Sequence, residues 1–213
     1  MLCLVAGLAM LPGCRESGSH AFTTQTTVPQ APVDGAPAPP PAPTPASITF
    51  TGEEFHLHSA GKVDQAVQEA ARAGVLDTLN RYLEAAVLKP LRSGGPAGDL
   101  TPLFTSPAAQ RVMTVGPDRF AFIDENLPPV SDVRAESVVA GLNGLAGPDG
   151  ILSVVTAGLD LRLIGHIDGA LVRVTRTGEL VLMPEGGAWR IDAYDIHVTR
   201  TLADDTTTTT VRS

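Results

Sequence analysis

Aromatic side chains are scarce in this chain: six Phe, two Tyr and one Trp amount to 4% of 213 residues. Burial must therefore rest on Leu, Val, Ile and Ala, and each larger aliphatic side chain contributes roughly 1.5–3 kcal/mol when fully buried. The hydrophobic fraction of 43% supplies enough of them for one core. Cysteine is scarcer still. Cys3 and Cys14 are the only two, both near the N-terminus, so the remaining chain has no internal disulfide and no thiolate metal ligand. Positive charge is in deficit as well. Fifteen Lys and Arg against 23 Asp and Glu leave a net −8, which argues against nucleic acid or an anionic membrane surface as partner, since both reward basic residues. Phosphate-cradling glycine loops, dinucleotide fingerprints and Ser/His/Asp nucleophile motifs are absent, and no cofactor is expected.

The N-terminus carries an apolar run, Leu2 to Leu11, followed at once by Leu11-Pro12-Gly13-Cys14. Ten residues suit a signal-peptide core and fall short of the about 20 that a spanning helix needs. The four-residue block resembles the lipobox of bacterial lipoproteins, with Leu at −3, a small residue at −1 and cysteine at +1. Pro12 stands where a small residue is usual, and no Lys or Arg precedes the run. The resemblance implies a signal peptide over 1–13, lipidation of Cys14, and a place on the extracytoplasmic face of the cell membrane. Two acyl chains make such anchoring stable where one is marginal.

Residues 14–46 form the expected stalk. Pro29 to Pro45 holds eight prolines among Ala, Thr and Val, a composition that favours extended segments and cannot bury a core. The other end, 204–213, includes five consecutive threonines and reads as a disordered tail. Between them, 47–203 reads as one α+β domain. A helix is predicted over about Val63 to Leu88: Val63, Val67, Ala71 and Val75 recur every four residues, and Leu76, Leu79, Tyr82, Leu83, Ala86 and Val87 continue the stripe. Pro90 and Gly94-Gly95-Pro96 are expected to end it. Asp99 is placed to cap a short turn, Ser106-Pro107 to open another, and Phe120, Phe122 and Ile123 to plug the core.

The last third changes period. Leu159, Leu161 and Leu163 alternate with Asp160 and Arg162, the pattern of a half-buried strand. Asp168-Gly169 and Gly186-Gly187 supply hairpin turns, and an earlier strand covers Ser137 to Leu142. His166 is assigned to a turn, and Gly178 to a bulge. Helices first and an antiparallel meander afterwards give an α+β fold.

That order, together with Gly186-Gly187-Ala188-Trp189-Arg190-Ile191 in the final hairpin, resembles the nuclear-transport-factor/ketosteroid-isomerase (SnoaL-like) superfamily over roughly 60–203. Actinobacterial-type lipoproteins with a proline-rich stalk and such a domain are the subgroup it most resembles. The resemblance implies a long N-terminal helix and short helices packed in a curved antiparallel sheet, cone-like, with an internal pocket. It does not choose an activity, because one fold carries enzymes and non-catalytic binding modules alike.

Isomerase-type members use a carboxylate base and a Tyr/acid pair that donates to an oxyanion. The candidate catalytic groups here are Asp192, Tyr194, Asp195 and His197 on the last strand, with Asp124 and Glu125 beside a loop. The plainer reading makes these strand-exterior or loop groups in a chain rich in acid. His56 and His58 at i, i+2 could bind one metal ion from one face of a strand, with Glu53 and Glu54 nearby, yet no third ligand sits at a defined spacing. Trp189 suits the core at the hairpin, or a ligand pocket. The residues favour an envelope-anchored binding or assembly module over catalysis, with an envelope protein or a small apolar ligand as partner. The alternative is a small enzyme or lipophilic-ligand carrier using the cone pocket.

Overall fold

The computed structural model describes residues 47–114, 116, 119, 122–202 and 209–212. The chain divides into two units, Met1–Thr44 and Pro45–Ser213, and all that follows concerns the second. The signal peptide, Cys14, the stalk and Phe120 lie outside the described residues.

Helix α1 (Gln65–Tyr82) starts where Asp64 accepts a hydrogen bond from the Ala66 N–H at 2.9 Å, satisfying one of the donors a helix start leaves open. Its buried stripe is Ala71, Val75, Leu79 and Tyr82, while Asp77 and Arg81 pair on the solvent side at 3.8 Å. Val67, on the sequence stripe, stands 43% exposed instead, because the first turn projects beyond the core. Pro90 does not end the element. A π-helical segment, Leu83–Leu88, widens the turn so that the Lys89 N–H reaches Glu84 O, and α2 (Lys89–Ser93) carries Pro90 near its start. Gly94, left-handed at φ 67°, caps it by donating to Pro90 O at 2.7 Å. Pro90 has no N–H to give, and the Ala86 carbonyl one turn back accepts from the Asp124 N–H at 3.0 Å. A one-turn 3₁₀ segment, Thr101–Leu103, follows; its N-cap position is Leu100 rather than Asp99, and Asp99, one residue earlier, accepts from the Thr101 N–H. The N-cap position of helix α3 (Ser106–Met113) falls one residue earlier than expected, at Thr105, whose side chain makes no capping bond.

Six strands make one sheet in the order β1 to β6: β1 (Thr51–Ser59), β2 (Ser131–Ala146), β3 (Leu152–Ile167), β4 (Ala170–Glu185), β5 (Ala188–Leu202) and β6 (Thr209–Arg212). The fold class is α+β, but the sheet is mixed rather than antiparallel throughout. β1 precedes the helix and runs parallel to β2, the helical section supplying the long crossover that parallel pairing requires. Arg72 donates to Gly52 O and Asn80 accepts from the Phe50 N–H, holding β1 to α1. Within the expected tail only 209–212 are described, and they form β6, paired with His197–Arg200. His166 lies within β3, and the turn falls at Asp168 and Gly169, both at positive φ. Gly178 is no bulge: register runs unbroken through Leu159, Gly178 and Ile196. The residue must be glycine because its φ is 143° and a Cβ would overlap the Asp195 carbonyl oxygen. The bulge comes later, where β5 inserts Asp192 between the partners of Val181 and Leu182.

The core lies between the inner sheet face and the helical section. Val155, Leu161 and Leu163 of β3, Val172, Val174, Leu180 and Leu182 of β4, and Ile191 and Ile196 of β5 are all buried with the α1 stripe. Leu79 is fully enclosed there. We expect Leu79→Ala to lower unfolding free energy by about 2–5 kcal/mol, the range for emptying a buried leucine site. Urea denaturation followed by circular dichroism measures it, and an unchanged midpoint would mean the stripe is not the packed face.

Candidate functional site

One polar cluster sits inside this core. Arg176 on β4 occupies an inward position between Val174 and Gly178 and is 1% exposed. Its Nη2 and Nε meet Asp124 Oδ2 at 2.9 and 3.2 Å, and its Nη1 lies 3.4 Å from the Tyr82 hydroxyl. That hydroxyl donates to Phe122 O at 3.1 Å. Burial raises the Tyr82 pKa above the ordinary phenol value. Burial is the largest single influence on Arg176 and works against its charge, but the Asp124 carboxylate and the Tyr82 hydroxyl together outweigh it and hold the guanidinium above its usual pKa. Arg200 on β5 approaches the other Asp124 oxygen at 3.8 Å. Beside this cluster Arg119 pairs with Glu125, Nη2 to Oε2 at 2.9 Å, and that hydrogen bond keeps the Glu125 carboxyl below its ordinary range.

Aromatic rings close the space around these groups. Phe122 packs on Tyr82, Phe104 and Tyr194 with centroids 4.5, 5.1 and 4.8 Å away. With Phe104 and Phe122 fully enclosed, the inner face is filled by the protein's own side chains around the ion pair. Asp124 and Arg176 are themselves only 3% and 1% exposed.

An open concavity lies elsewhere, a cleft of about 790 Å³ between α1, along its length from Val67 to Arg81, the β2–β3 turn and the β4–β5 hairpin. Gly74 on α1 brings the helix against Trp189, whose Cδ1 would stand 2.8 Å from an added Cβ. Thr78 Oγ1 donates to Trp189 O at 2.7 Å and fixes the strand there. Val67 and Ile151, 43% and 63% exposed, stand on the rim. Several rim charges take part in local structure: Asp64 caps α1, Asp149 accepts from the Ile151 N–H at 3.0 Å, and Asp77 lies 3.8 Å from Arg81, while Lys62 adds a positive charge to the lining. The cleft is thus a mixed polar and apolar recess with one indole on its wall, shaped to hold a ligand and lacking, among the described residues, an arranged acid–base pair.

The sequence candidates do not form one site. Asp192, set at the β5 bulge, accepts from Thr105 Oγ1 at 2.7 Å, and its carbonyl accepts from Arg111 at 2.9 Å, so it anchors α3 to the sheet. Tyr194 faces inward against Phe122. Asp195 and His197 come together on the outer face at 4.0 Å, with the Asp195 side chain 74% exposed. His56 and His58 lie exposed on β1, the former 3.5 Å from Glu54. Among the described residues no group of three or more His, Cys, Asp or Glu is placed to hold a metal ion. Trp189 serves both expected uses, packing against the core and lining the cleft. Asp124 and Glu125, expected on a loop surface, are buried and ion-paired.

Sequence reasoning missed Arg176 and its partners. The signal was present: Val172, Val174 and Arg176 share one strand parity, so an arginine stands on an apolar face and requires a carboxylate. Asp124 directly follows the core pair Phe122-Ile123. Comparison with family models, characterised proteins and solved structures returns no match.

Removing one partner of a buried ion pair leaves an uncompensated charge. Asp124→Asn is expected to lose about 3–5 kcal/mol of stability, and joint replacement, Asp124→Leu with Arg176→Met, to recover most of it. Chemical denaturation of the single and double variants gives the comparison. A double variant as unstable as the single one would show that shape, not charge, dominates.

Proposed function

We propose that this protein is a binding module displayed outside a cell membrane by a lipid on Cys14, and that it holds its partner in the Trp189 cleft. The observation that carries the reading is the division between a filled sheet interior and an open cleft. Arg176, Tyr82, Phe104 and Phe122, each no more than 1% exposed, occupy the volume that an enzyme or carrier of this architecture would keep for substrate. We read the curved sheet around α1 as a cone of the nuclear-transport-factor type, plugged by its own residues. The cleft offers recognition features instead: one indole, a glycine that lets helix and strand approach, and exposed aliphatic groups on the rim. Aromatic anchors in such recesses commonly dominate binding energy. A long proline-rich stalk supports the same reading, since tethering raises local concentration near the membrane without new contacts.

Two measurements test it. Cys14→Ala should move the protein from the membrane fraction to the soluble one or leave it unprocessed, and an intact mature chain with unmodified Cys14 by mass spectrometry would end the anchoring proposal. For the cleft, a photo-crosslinking residue is placed at Ala70, which lines it, and at Thr199 on the outer sheet face. Defined adducts in whole cells should arise from position 70 and not from 199. The reverse pattern, or adducts from neither, overturns the cleft as the binding surface.

A further inference from the structure

His56 and His58 project from the outer face of β1. Their neighbours Phe55 and Leu57 pack against the core, so strand alternation sends both imidazoles the other way, and both histidines are exposed. A recess of about 460 Å³, lined by Glu54, His56, Gly141 and Asn143, gives the His56 ring room to turn. Two imidazoles at i, i+2 make half of a tetrahedral metal site, and the other half must come from a strand alongside. On the β2 side the neighbours are Asn143, opposite His56, and Leu145, opposite His58. The first offers one amide oxygen and the second no ligand. The other side of β1 is the sheet edge among the described residues, and an edge strand carries a row of backbone groups ready to pair with another chain. A bulge disturbs β1 between Gly52 and Phe55, but its register with β2 runs unbroken from Phe55 to Ser59. The middle of that regular stretch is Leu57.

We propose that β1 pairs antiparallel with β1 of a second copy about a two-fold axis at Leu57, and that His56 and His58 of both chains bind one zinc ion there. In this register His56 faces the partner's His58 and His58 faces the partner's His56, all four on the same sheet face. Directly opposite side chains in such a pair have Cβ atoms roughly 5 Å apart, and i, i+2 along a strand are separated by roughly 6.5–7 Å. Four rings can therefore converge over the middle of a small rectangle. Four neutral imidazoles suit zinc, which takes nitrogen at about 2.0–2.1 Å in tetrahedral geometry. Glu54 stands 3.5 Å from His56 Nε2, so each chain also brings a carboxylate of the kind that orients a ligating imidazole and offsets the cation's charge. Each copy is an incomplete site, and the partner completes it. The site uses none of the residues of the Trp189 cleft and does not rest on that reading.

The test uses the full chain with Cys3→Ser and Cys14→Ser, which keeps thiolates out of the comparison, in zinc chloride or in EDTA. Sedimentation velocity should show a monomer in EDTA and a dimer in zinc, with one zinc bound per two chains. Cobalt in place of zinc should give the visible absorption of a tetrahedral nitrogen site. Hydrogen exchange should slow in zinc at the amides of Phe55–Ser59, as the edge groups become paired. His56→Ala and His58→Ala should each raise the zinc concentration for half-dimerisation by roughly tenfold or more. Their melting temperatures in EDTA should match the parent, since both side chains stand in solvent. His20→Ala, His166→Ala and His197→Ala should dimerise like the parent. A monomer in saturating zinc, a dimer in EDTA, or one zinc per monomer overturns the proposal. So does dimerisation that survives loss of His56 and His58 or that is lost with one of the other three histidines. Unchanged exchange at Phe55–Ser59 in a zinc dimer overturns the edge pairing.

Discussion

The contact between Arg176 and Asp124 is the constraint to which most of the inner structure answers. A guanidinium and a carboxylate, each almost wholly removed from water, are tolerable only when facing each other with further hydrogen bonds around them. That requirement fixes where β4 lies against the 122–130 segment, sets the Tyr82 hydroxyl toward Arg176, and places Phe122 where three aromatic rings can meet. Such a pair adds little net stability compared with apolar residues of the same size. Its contribution is to penalise every arrangement in which one partner finds no other.

The helix irregularity belongs to the same device. With Pro90 one turn on from Ala86, the Ala86 carbonyl is left to the Asp124 N–H, and the Leu91 carbonyl accepts from Val130 at 2.8 Å. The π-helical segment thus gives the following loop a ladder to dock on, and the docked loop delivers Asp124 to Arg176. On the other side of the same helix, Gly74 and Thr78 hold the Trp189 strand close. One helix consequently positions both the filled interior and the open cleft, through different residues of its length.

Much of this was legible in the chain. The α1 stripe, the alternation at Leu159, Leu161 and Leu163, and the two glycine turns follow from local periodicity and backbone preference, which act over a few residues. What escaped depends on distant partners. β1 has its own alternation, Phe55 and Leu57 between Glu54, His56 and His58, yet its role rests on β2, far along the chain. Pro90 reads as a stop unless the later Asp124 N–H is known to need a carbonyl. Asp192, Tyr194, Asp195 and His197 look like neighbours on a strand, but strand pleating and the bulge send them to different surroundings. Arg176 was the one long-range feature with a local sign, a charge standing at an apolar parity.

The parallel pairing of β1 has a consequence for the order in which the structure assembles. Thr51 meets Val139, so the first strand to be synthesised is joined across roughly ninety residues, a separation that slows closure compared with a hairpin. The four long strands can zip by successive turns, each formed between sequence neighbours, whereas β1 and the apolar stripe of α1 have nothing to settle on until β2 exists. A nascent or truncated chain ending before β2 therefore exposes both at once. The N-terminal third of the domain is the part whose survival depends on the rest arriving, and whose edge is the first to be lost when it departs.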